Sequence, residues 1–295
     1  MQIPKLTCFD VGARNGLIDL QPLSEHISLY SFEPAIEDKD ILNKTIRGRY
    51  ADFQLIDKAL YSNSGAYNFY LMANPSMNSM LQPDVEILDE YFDGIKSFKK
   101  WRKQLKIIDQ KTISTTTIDT VAAERNIKTI DYLKIDTQGT ELAVLTGAES
   151  SLKNRKIIVI KTEFAFIPLY KGQPTFTEID AYLKALGYKL VTCEFRYGID
   201  SPFAKNSEKP KWGIGGDAFY CLDFHGSDNH EQMLRAGSVL AGLGFLSNAA
   251  HLFKKISLPE SEQKAFFKKI RIRSKKAYLK YLLPPFLVDW YKGLK

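Results

Sequence analysis

A glycine-containing loop near the amino terminus is the first segment whose residue types suggest chemistry. The first apolar run ends in the pattern D-x-G-x-x-x-G, formed by Asp10, Gly12 and Gly16. Glycine lets the backbone approach a ligand closely, and free amides at the start of a following helix can bind an anion. With Arg14 in place of a second glycine, the pattern is not the G-x-G-x-x-G dinucleotide fingerprint. We predict a cofactor loop comprising Asp10, Gly12, Arg14, Asn15 and Gly16. A plain turn between strand and helix is the alternative.

An acid at the end of the next apolar run fits the same kind of site. Glu33 stands 21 positions after Gly12, and Pro34 then stops the strand pattern. An acid about 20 residues beyond a glycine loop can accept hydrogen bonds from ribose hydroxyls. We therefore predict that Glu33 and Pro34 contact a cofactor. The structural alternative is a strand-end acid that caps a helix.

Two charged residues interrupt a later apolar run. Lys134 and Asp136 are two positions apart, so a strand points both side chains to the same side, and Gly139 follows. Buried charges are costly unless they are paired or hold a ligand, and open α/β sheets bind ligands at the carboxyl ends of their strands. Glu163 ends the next predicted strand. We expect Lys134, Asp136 and Glu163 to form a reactive centre. The alternative is a purely structural Lys134–Asp136 ion pair at the sheet edge.

The elements that must position these residues alternate along the chain. Apolar runs separated by amphipathic patterns predict a doubly wound α/β sheet that is covered on both faces and followed by a helical C-terminal appendage. The predicted strands are residues 6–11, 28–32, 52–60, 130–135, 156–164, 189–195 and 218–224. The predicted helices are residues 35–45, 118–126, 141–152 and 176–186, with another inserted within residues 84–105. Residues 67–72 resemble an added hairpin strand.

The order of the motifs resembles the FkbM family of methyltransferases over about residues 6–224. The matching segments are D-V-G-A-x-x-G from Asp10, F-E-P at 32–34, A-L-Y-S at 59–62, S-M-N-S-M at 76–80, T-T-I-D at 116–119, L-K-I-D at 133–136 with Gly139 and Glu141, K-T-E at 161–163, and G-D-A at 216–218. The resemblance implies a seven-stranded Rossmann-like sheet with one antiparallel strand, S-adenosylmethionine as cofactor, and methyl transfer usually to a hydroxyl oxygen. It adds Ala59, Ser79 and Asp136 to the expected cofactor contacts.

Two residues depart from the family pattern. Gln138 stands where many relatives carry Glu, and Arg14 is bulkier than the usual small or polar residue. The first departure bears on catalysis, and the second bears on the cofactor loop.

Methyl transfer to an alcohol sets two requirements for the reactive centre. The acceptor must be aligned for an in-line displacement, and its hydroxyl proton needs a base. Asp136 or Glu163 can serve as this base, and Lys134 can orient the acid or lower the pKa of the acceptor. The sequence contains no spacing typical of a metal site. We expect residues 164–170 to line the acceptor pocket and residues 212–216 to form a flap, with core packing and a plain connector as the respective alternatives.

The net charge of +7 is concentrated in the C-terminal residues. Residues 254–295 contain twelve Lys or Arg and three Asp or Glu, so residues 1–253 carry a net charge of −2. Without a recognition motif, this distribution argues against nucleic-acid binding. We expect residues 1–225 to form a methyltransferase domain and residues 226–295 a basic helical extension that packs on it. Peripheral contact of residues 254–295 with an anionic membrane surface is a secondary expectation.

The remaining features limit the classes of protein to which this chain can belong. Three well-separated cysteines, and no apolar run that resembles a signal peptide or a membrane span, predict a cytoplasmic protein. The function we predict is methyl transfer from S-adenosylmethionine to a hydroxyl oxygen of a small polar acceptor, with a sugar or glycan precursor favoured. Two alternatives stay open. One is a nicotinamide-dependent oxidoreductase, which the missing third glycine disfavours, and the other is a non-catalytic cofactor-binding scaffold in glycan assembly.

Overall fold

The computed structural model describes residues 2–13, 17–34, 46, 48–92, 102–197 and 213–282. The strands are β1 (Leu6–Val11), β2 (Ile27–Phe32), β3 (Asp52–Ile56), β4 (Ala59–Leu60), β5 (Gly65–Met72), β6 (Ile107–Thr116), β7 (Ile130–Ile135), β8 (Ile157–Ala165), β9 (Tyr188–Tyr197) and β10 (Gly213–Leu222). The α-helices are α1 (Val85–Phe92), α2 (Ile118–Glu124), α3 (Glu141–Thr146), α4 (Glu149–Lys153), α5 (Phe176–Ala185), α6 (His230–Gly242), α7 (Leu246–Lys255) and α8 (Glu260–Leu282). Short 3-10 helices lie at Gln21–His26 and Pro75–Met77.

Seven strands form the main sheet, in the order β3-β2-β1-β7-β8-β10-β9. All neighbours are parallel except β10, which runs antiparallel to both β8 and β9. The expected seven-stranded sheet with one antiparallel strand is therefore confirmed. The strand order reverses at β1, which pairs with β2 on one side and β7 on the other, and such a switch point is where open α/β sheets bind ligands.

A smaller sheet of three strands, in the order β4-β6-β5, accounts for two differences from the sequence prediction. The strand predicted over residues 52–60 is in fact two: β3 joins the main sheet, whereas β4 pairs with β6. The predicted strand at residues 67–72 exists as β5, but it pairs with β6 across a long insertion. The sequence analysis missed β6 because most of its side chains are exposed and polar, so it lacks an apolar run.

Two further predictions need correction. The helix expected over residues 141–152 is divided into α3 and α4 near Gly147, where a Cβ atom would lie 2.0 Å from the carbonyl oxygen of Tyr61. The flap expected at residues 212–216 is wrong for Gly213–Gly216, which begin β10. A Cβ on Gly215 would lie 2.2 Å from the Phe164 carbonyl oxygen, so the glycine is needed for close strand packing. Trp212 and the helix predicted at residues 35–45 lie outside the described residues.

Helices after β10 pack on the main sheet and share its core. Arg235 of α6 pairs with the buried Asp131 of β7 at 3.2 Å, which fixes this helix to the sheet. Phe266 and Ile270 of α8 are buried in the same core. The first part of the basic C-terminal segment therefore packs on the body, while a domain boundary after residue 225 stays a prediction. In the described ranges, no helix is both long and apolar enough to cross a membrane.

Candidate functional site

A cleft of about 220 Å³ lies at the carboxyl ends of β1, β2, β7 and β8 and is bordered by the smaller sheet. Parallel strands end at the same edge of a sheet, which is why residues distant in sequence meet here. Six of the predicted site residues line the cleft: Gly12, Glu33, Pro34, Ala59, Asp136 and Glu163. Arg14, Asn15 and Gly16 lie outside the described residues.

Gly12 brings the ends of three strands together. Its φ is +77°, a conformation that favours glycine, and a Cβ atom here would lie 1.9 Å from the carbonyl oxygen of Asp136. The Gly12 amide donates to the carbonyl oxygen of Phe32 at 3.3 Å, and the Asp136 amide donates to that of Val11 at 3.1 Å. The glycine loop, the end of β2 and the end of β7 are thus in direct backbone contact.

Asp10 and Lys134 lie beneath the cleft and form an ion pair. Lys134 Nζ is 3.1 Å from Asp10 Oδ1 and 3.8 Å from Asp136 Oδ2. Burial lowers the pKa of Lys134, but Asp10 and Asp136 outweigh it and raise that pKa above its ordinary value. Burial also raises the pKa of Asp10, against the effect of Lys134. Lys134 therefore stays charged and is held mainly by Asp10, so the simple Lys134–Asp136 pair is not the main contact.

Gln138 connects the two acids proposed as bases. Its Nε2 atom donates to Asp136 Oδ1 and to Glu163 Oε2, each at 2.9 Å. The Asp136 side chain is 33% exposed and the Glu163 side chain 12%. The sequence analysis identified Gln138 as a departure from the family pattern, but a spacing pattern cannot reveal a bridge to a residue on the next strand.

Glu163 is held by a second cation that the sequence analysis missed. Arg196 of β9 donates to Glu163 Oε1 and pairs with Asp217 of β10 at 3.2 Å. Burial raises the pKa of the Glu163 carboxyl well above its usual range, the charges of Asp136 and Glu141 raise it further, and Arg196 opposes them. No local signal identifies Arg196, because it comes from an edge strand 33 positions away.

The loop after β7 is fixed from both sides. The buried carboxylate of Glu141 accepts hydrogen bonds from the amides of Thr137 at 2.9 Å and Gly139 at 3.1 Å. Ser79 Oγ donates to the carbonyl oxygen of Gln138 at 2.7 Å. Ser79 itself does not line the cleft, so its predicted contact with a cofactor has no direct support from this arrangement.

The expectation that residues 164–170 line the acceptor pocket has no support from the structure, since none of them lines the cleft. Phe164 packs against Phe176 of α5, with ring centroids 4.8 Å apart, as the core-packing alternative expects. Tyr170 is buried beside the loop after β7, where its hydroxyl lies 3.0 Å from the Met77 carbonyl oxygen and 3.4 Å from Gln138 Oε1. Neither residue is part of the cleft lining. Across the part of the chain that the structure describes, no group of three or more His, Cys, Asp or Glu could hold a metal ion.

The sheet order and a cleft at its switch point define the fold as a doubly wound, Rossmann-like sheet. The family model described as the methyltransferase FkbM domain matches residues 10–190. The chain belongs to this family.

Two solved structures are similar to the chain at low sequence identity. The methyltransferase FkbM from Methylobacillus flagellatus KT is 13% identical with a TM-score of 0.42, and the match covers 75% of this chain and 45% of that one. The TehB-like SAM-dependent methyltransferase from Corynebacterium glutamicum ATCC 13032 Kitasato is 11% identical with a TM-score of 0.33, and the match covers 76% and 83%. The chain thus spans less than half the length of the Methylobacillus protein. No curated protein matches the chain.

Proposed function

We propose that this chain transfers a methyl group from S-adenosylmethionine to a hydroxyl oxygen of a small polar acceptor. Family membership supports methyl transfer. One observation supports a hydroxyl acceptor: Asp136 and Glu163 line the same cleft, joined through Gln138. An alcohol must lose a proton as it is methylated, and a carboxylate beside the acceptor takes that proton.

The residues around the cleft fit the proposed cofactor. S-adenosylmethionine supplies a methyl group carried on a positively charged sulfonium sulfur. Glu33, largely buried at the end of β2, is placed to accept hydrogen bonds from ribose hydroxyls. The backbone at Gly12 permits close approach of a ligand, and the carboxyl groups of Asp136 and Glu163 line the same cleft. Asp10 acts from beneath the cleft through Lys134, and its Oδ2 has no hydrogen-bond partner in the described ranges.

Asp136 is the acid that we assign as the base. Both carboxyl oxygens of Glu163 are engaged, Oε1 by Arg196 and Oε2 by Gln138. Asp136 is more exposed than Glu163, and no hydrogen bond from a described residue reaches its Oδ2 atom. Asp136 Oδ2 is therefore the oxygen that accepts the acceptor's proton, with Lys134 Nζ 3.8 Å away.

A sugar or glycan precursor is the acceptor class that we favour. Polar side chains line the cleft beside the acids, and they can bond to several hydroxyls of a polyol. These residues are Ser76, Asn78, Thr137, Thr140 and Arg196.

The basic segment at residues 254–295 has a proposed role outside the cleft. We propose that its main role is to complete the fold, since Phe266 and Ile270 of α8 are buried. Contact with an anionic lipid surface, at the cytoplasmic face of a membrane, is secondary.

Labelled S-adenosylmethionine, incubated with the protein and extracts of its source, tests the proposed reaction. A labelled product with a new methyl ether is the expected result, whereas methylation at nitrogen or carbon would contradict the hydroxyl assignment. With the product identified, Asp136→Asn should lower turnover by about 10²–10⁴-fold. If Asp136→Asn is active and Glu163→Gln is not, the base is Glu163.

Calorimetry separates the cofactor classes. S-adenosylhomocysteine should bind in the micromolar range or tighter, about −8 kcal/mol, and a nicotinamide dinucleotide should not. The reverse result would favour the oxidoreductase alternative.

A further inference from the structure

The carboxamide of Gln138 lies between two acids, which accept hydrogen bonds from its nitrogen, and the Tyr170 hydroxyl, which faces its oxygen. An amide nitrogen carries two hydrogens, and here both are used, one by Asp136 and one by Glu163. The amide oxygen faces the hydroxyl of Tyr170 at 3.4 Å. A rotated amide would place its oxygen against two acids, so the surroundings select a single orientation.

The backbone at Gln138 is held in an unusual conformation by its neighbours. The backbone of Gln138 has a φ of +58°, a left-handed conformation that residues other than glycine adopt only at an energetic cost. The loop is kept in this conformation by Ser79, which donates to the Gln138 carbonyl oxygen, and by Glu141, which accepts from the amides of Thr137 and Gly139. A surface glutamine would need no such support.

The electrostatic surroundings explain why a neutral donor is useful between the acids. Asp136 and Glu163 both approach a single nitrogen atom, so two carboxyl groups lie close together. A hydrogen bond donated to a carboxyl group favours its charged form, so the Gln138 amide acts against the burial that raises the pKa of Glu163. The other titratable or charged groups around the pair are Lys134, Glu141, Tyr170, Arg196 and Asp217. Lys134 lies nearest Asp136 Oδ2 and Arg196 bonds to Glu163 Oε1, whereas Gln138 donates to the other oxygen of each acid.

We propose that Gln138 is a positioning residue, whose carboxamide ties Asp136 to the anchored Glu163 and holds it oriented to receive the proton of the acceptor. The inference rests on the proposed function, since it assumes that Asp136 is the base. Glu163 of β8 and Arg196 of the edge strand β9 then act through the bridge as an anchor. Gln138 itself exchanges no proton in the reaction.

Two substitutions remove the bridge in different ways. Gln138→Glu keeps the shape and replaces the donating amide with a third acid. Gln138→Asn keeps the amide and tolerates a positive φ, but it is one methylene too short to reach both acids. Gln82→Glu is the matched control, because Gln82 bonds to the Tyr70 hydroxyl at 3.1 Å and lies outside the cleft lining.

The first measurement needs no acceptor. In protein labelled with ¹³C at the carboxyl carbons of Asp and Glu, Glu163 should titrate at higher pH in both Gln138 variants than in the wild type. The reason is that each variant removes a hydrogen bond to the charged carboxylate, and Gln138→Glu adds a like charge. Gln82→Glu should leave this titration unchanged. In the wild type, the side-chain amide signal of Gln138 should change over the same pH range as the Glu163 carboxyl.

The second measurement uses the acceptor identified by the labelling experiment. Both Gln138 variants should lower kcat by about ten- to hundredfold, as expected for a misplaced catalytic group, and the acidic limb of the pH–activity profile should move to higher pH. KM and the affinity for S-adenosylhomocysteine should stay near their wild-type values. This combination separates a positioning role from a general loss of structure.

Three outcomes decide between the proposals. If both Gln138 variants keep the wild-type kcat, pH profile and Glu163 titration, the positioning role is wrong. If neither variant folds, the wild-type amide signal decides, and an amide that does not respond to pH overturns the proposal. If Asp136→Asn keeps full activity, the assignment of the base fails first, which is distinct from a failure at Gln138 alone.

Discussion

Replacing Gly12 with alanine would place a methyl group where the protein has no room for one. The added Cβ would lie 1.9 Å from the carbonyl oxygen of Asp136, far inside a van der Waals contact. The obstructing atom belongs to the backbone, so it cannot rotate away as a side chain could. The loop that follows β1 and the loop that follows β7 would have to move apart at the cleft that both of them line.

The size of the effect follows from two contributions. Alanine at a positive φ costs about 1–2 kcal/mol, and the φ of Gly12 is +77°. Forcing an extra carbon into a close-packed contact costs about 1–3 kcal/mol more. We therefore expect Gly12→Ala to lower the free energy of unfolding by about 2–5 kcal/mol. Because the cleft opens at the same place, the affinity for S-adenosylhomocysteine should fall by about tenfold or more.

Gly226 provides a matched control for this experiment. Its φ is +67°, and no heavy atom of the described residues lies within 4 Å of an added Cβ. Gly226→Ala should therefore show only the conformational cost of about 1–2 kcal/mol and bind the ligand normally. Urea unfolding followed by circular dichroism measures the stability, and calorimetry measures the affinity. Equal stability losses in the two variants, with normal ligand binding by Gly12→Ala, would refute the reasoning.

Four other predictions follow from the structure. Glu33→Ala should weaken S-adenosylhomocysteine binding by about 1–3 kcal/mol, because ribose hydroxyls lose their partner; unchanged affinity in calorimetry would place the ribose elsewhere. Phe266→Ala should lower the free energy of unfolding by about 3–5 kcal/mol in urea titrations, and a neutral result would mean that α8 does not dock. If residues 254–295 also contact lipid, the intact chain should sediment with phosphatidylserine vesicles at low salt and be released by added salt, whereas no sedimentation at low salt would exclude this role. Gln138→Glu brings three carboxyl groups together, so this variant should bind Mn²⁺ more tightly than the wild type in calorimetry. Equal Mn²⁺ affinity in the two proteins would mean that the three acids do not lie close together.

Much of the main sheet could be predicted from the sequence because its central strands are buried on both faces. Such strands appear as continuous apolar runs, and polar residues mark the point where each run ends. The structure confirms β1, β2, β7 and β8 to within a residue at each end. Since the carboxyl ends of parallel strands meet at one edge, the sequence also indicated that Glu33, Asp136 and Glu163 would share a site.

The predictions that failed concern segments without such a signal. The strand β6 is mostly exposed, and β4 is only two residues long, so neither produces a run that can be distinguished from a loop or from the preceding strand. The glycines that begin β10 resemble a flexible loop in sequence. They are required instead because β10 packs closely between β8 and β9, and only the assembled sheet creates that constraint.

The sequence by itself determined the class of fold, the family, and the acids that line the cleft, because apolar periodicity and motif order are properties of neighbouring residues. The tertiary structure alone decided how those acids are connected. The Gln138–Glu163 hydrogen bond spans 25 positions and the Arg196–Glu163 contact spans 33. Whether a carboxylate is buried, anchored or available to take a proton depends on distances of about 3 Å and on local desolvation, and both are fixed only when separate strands pack together.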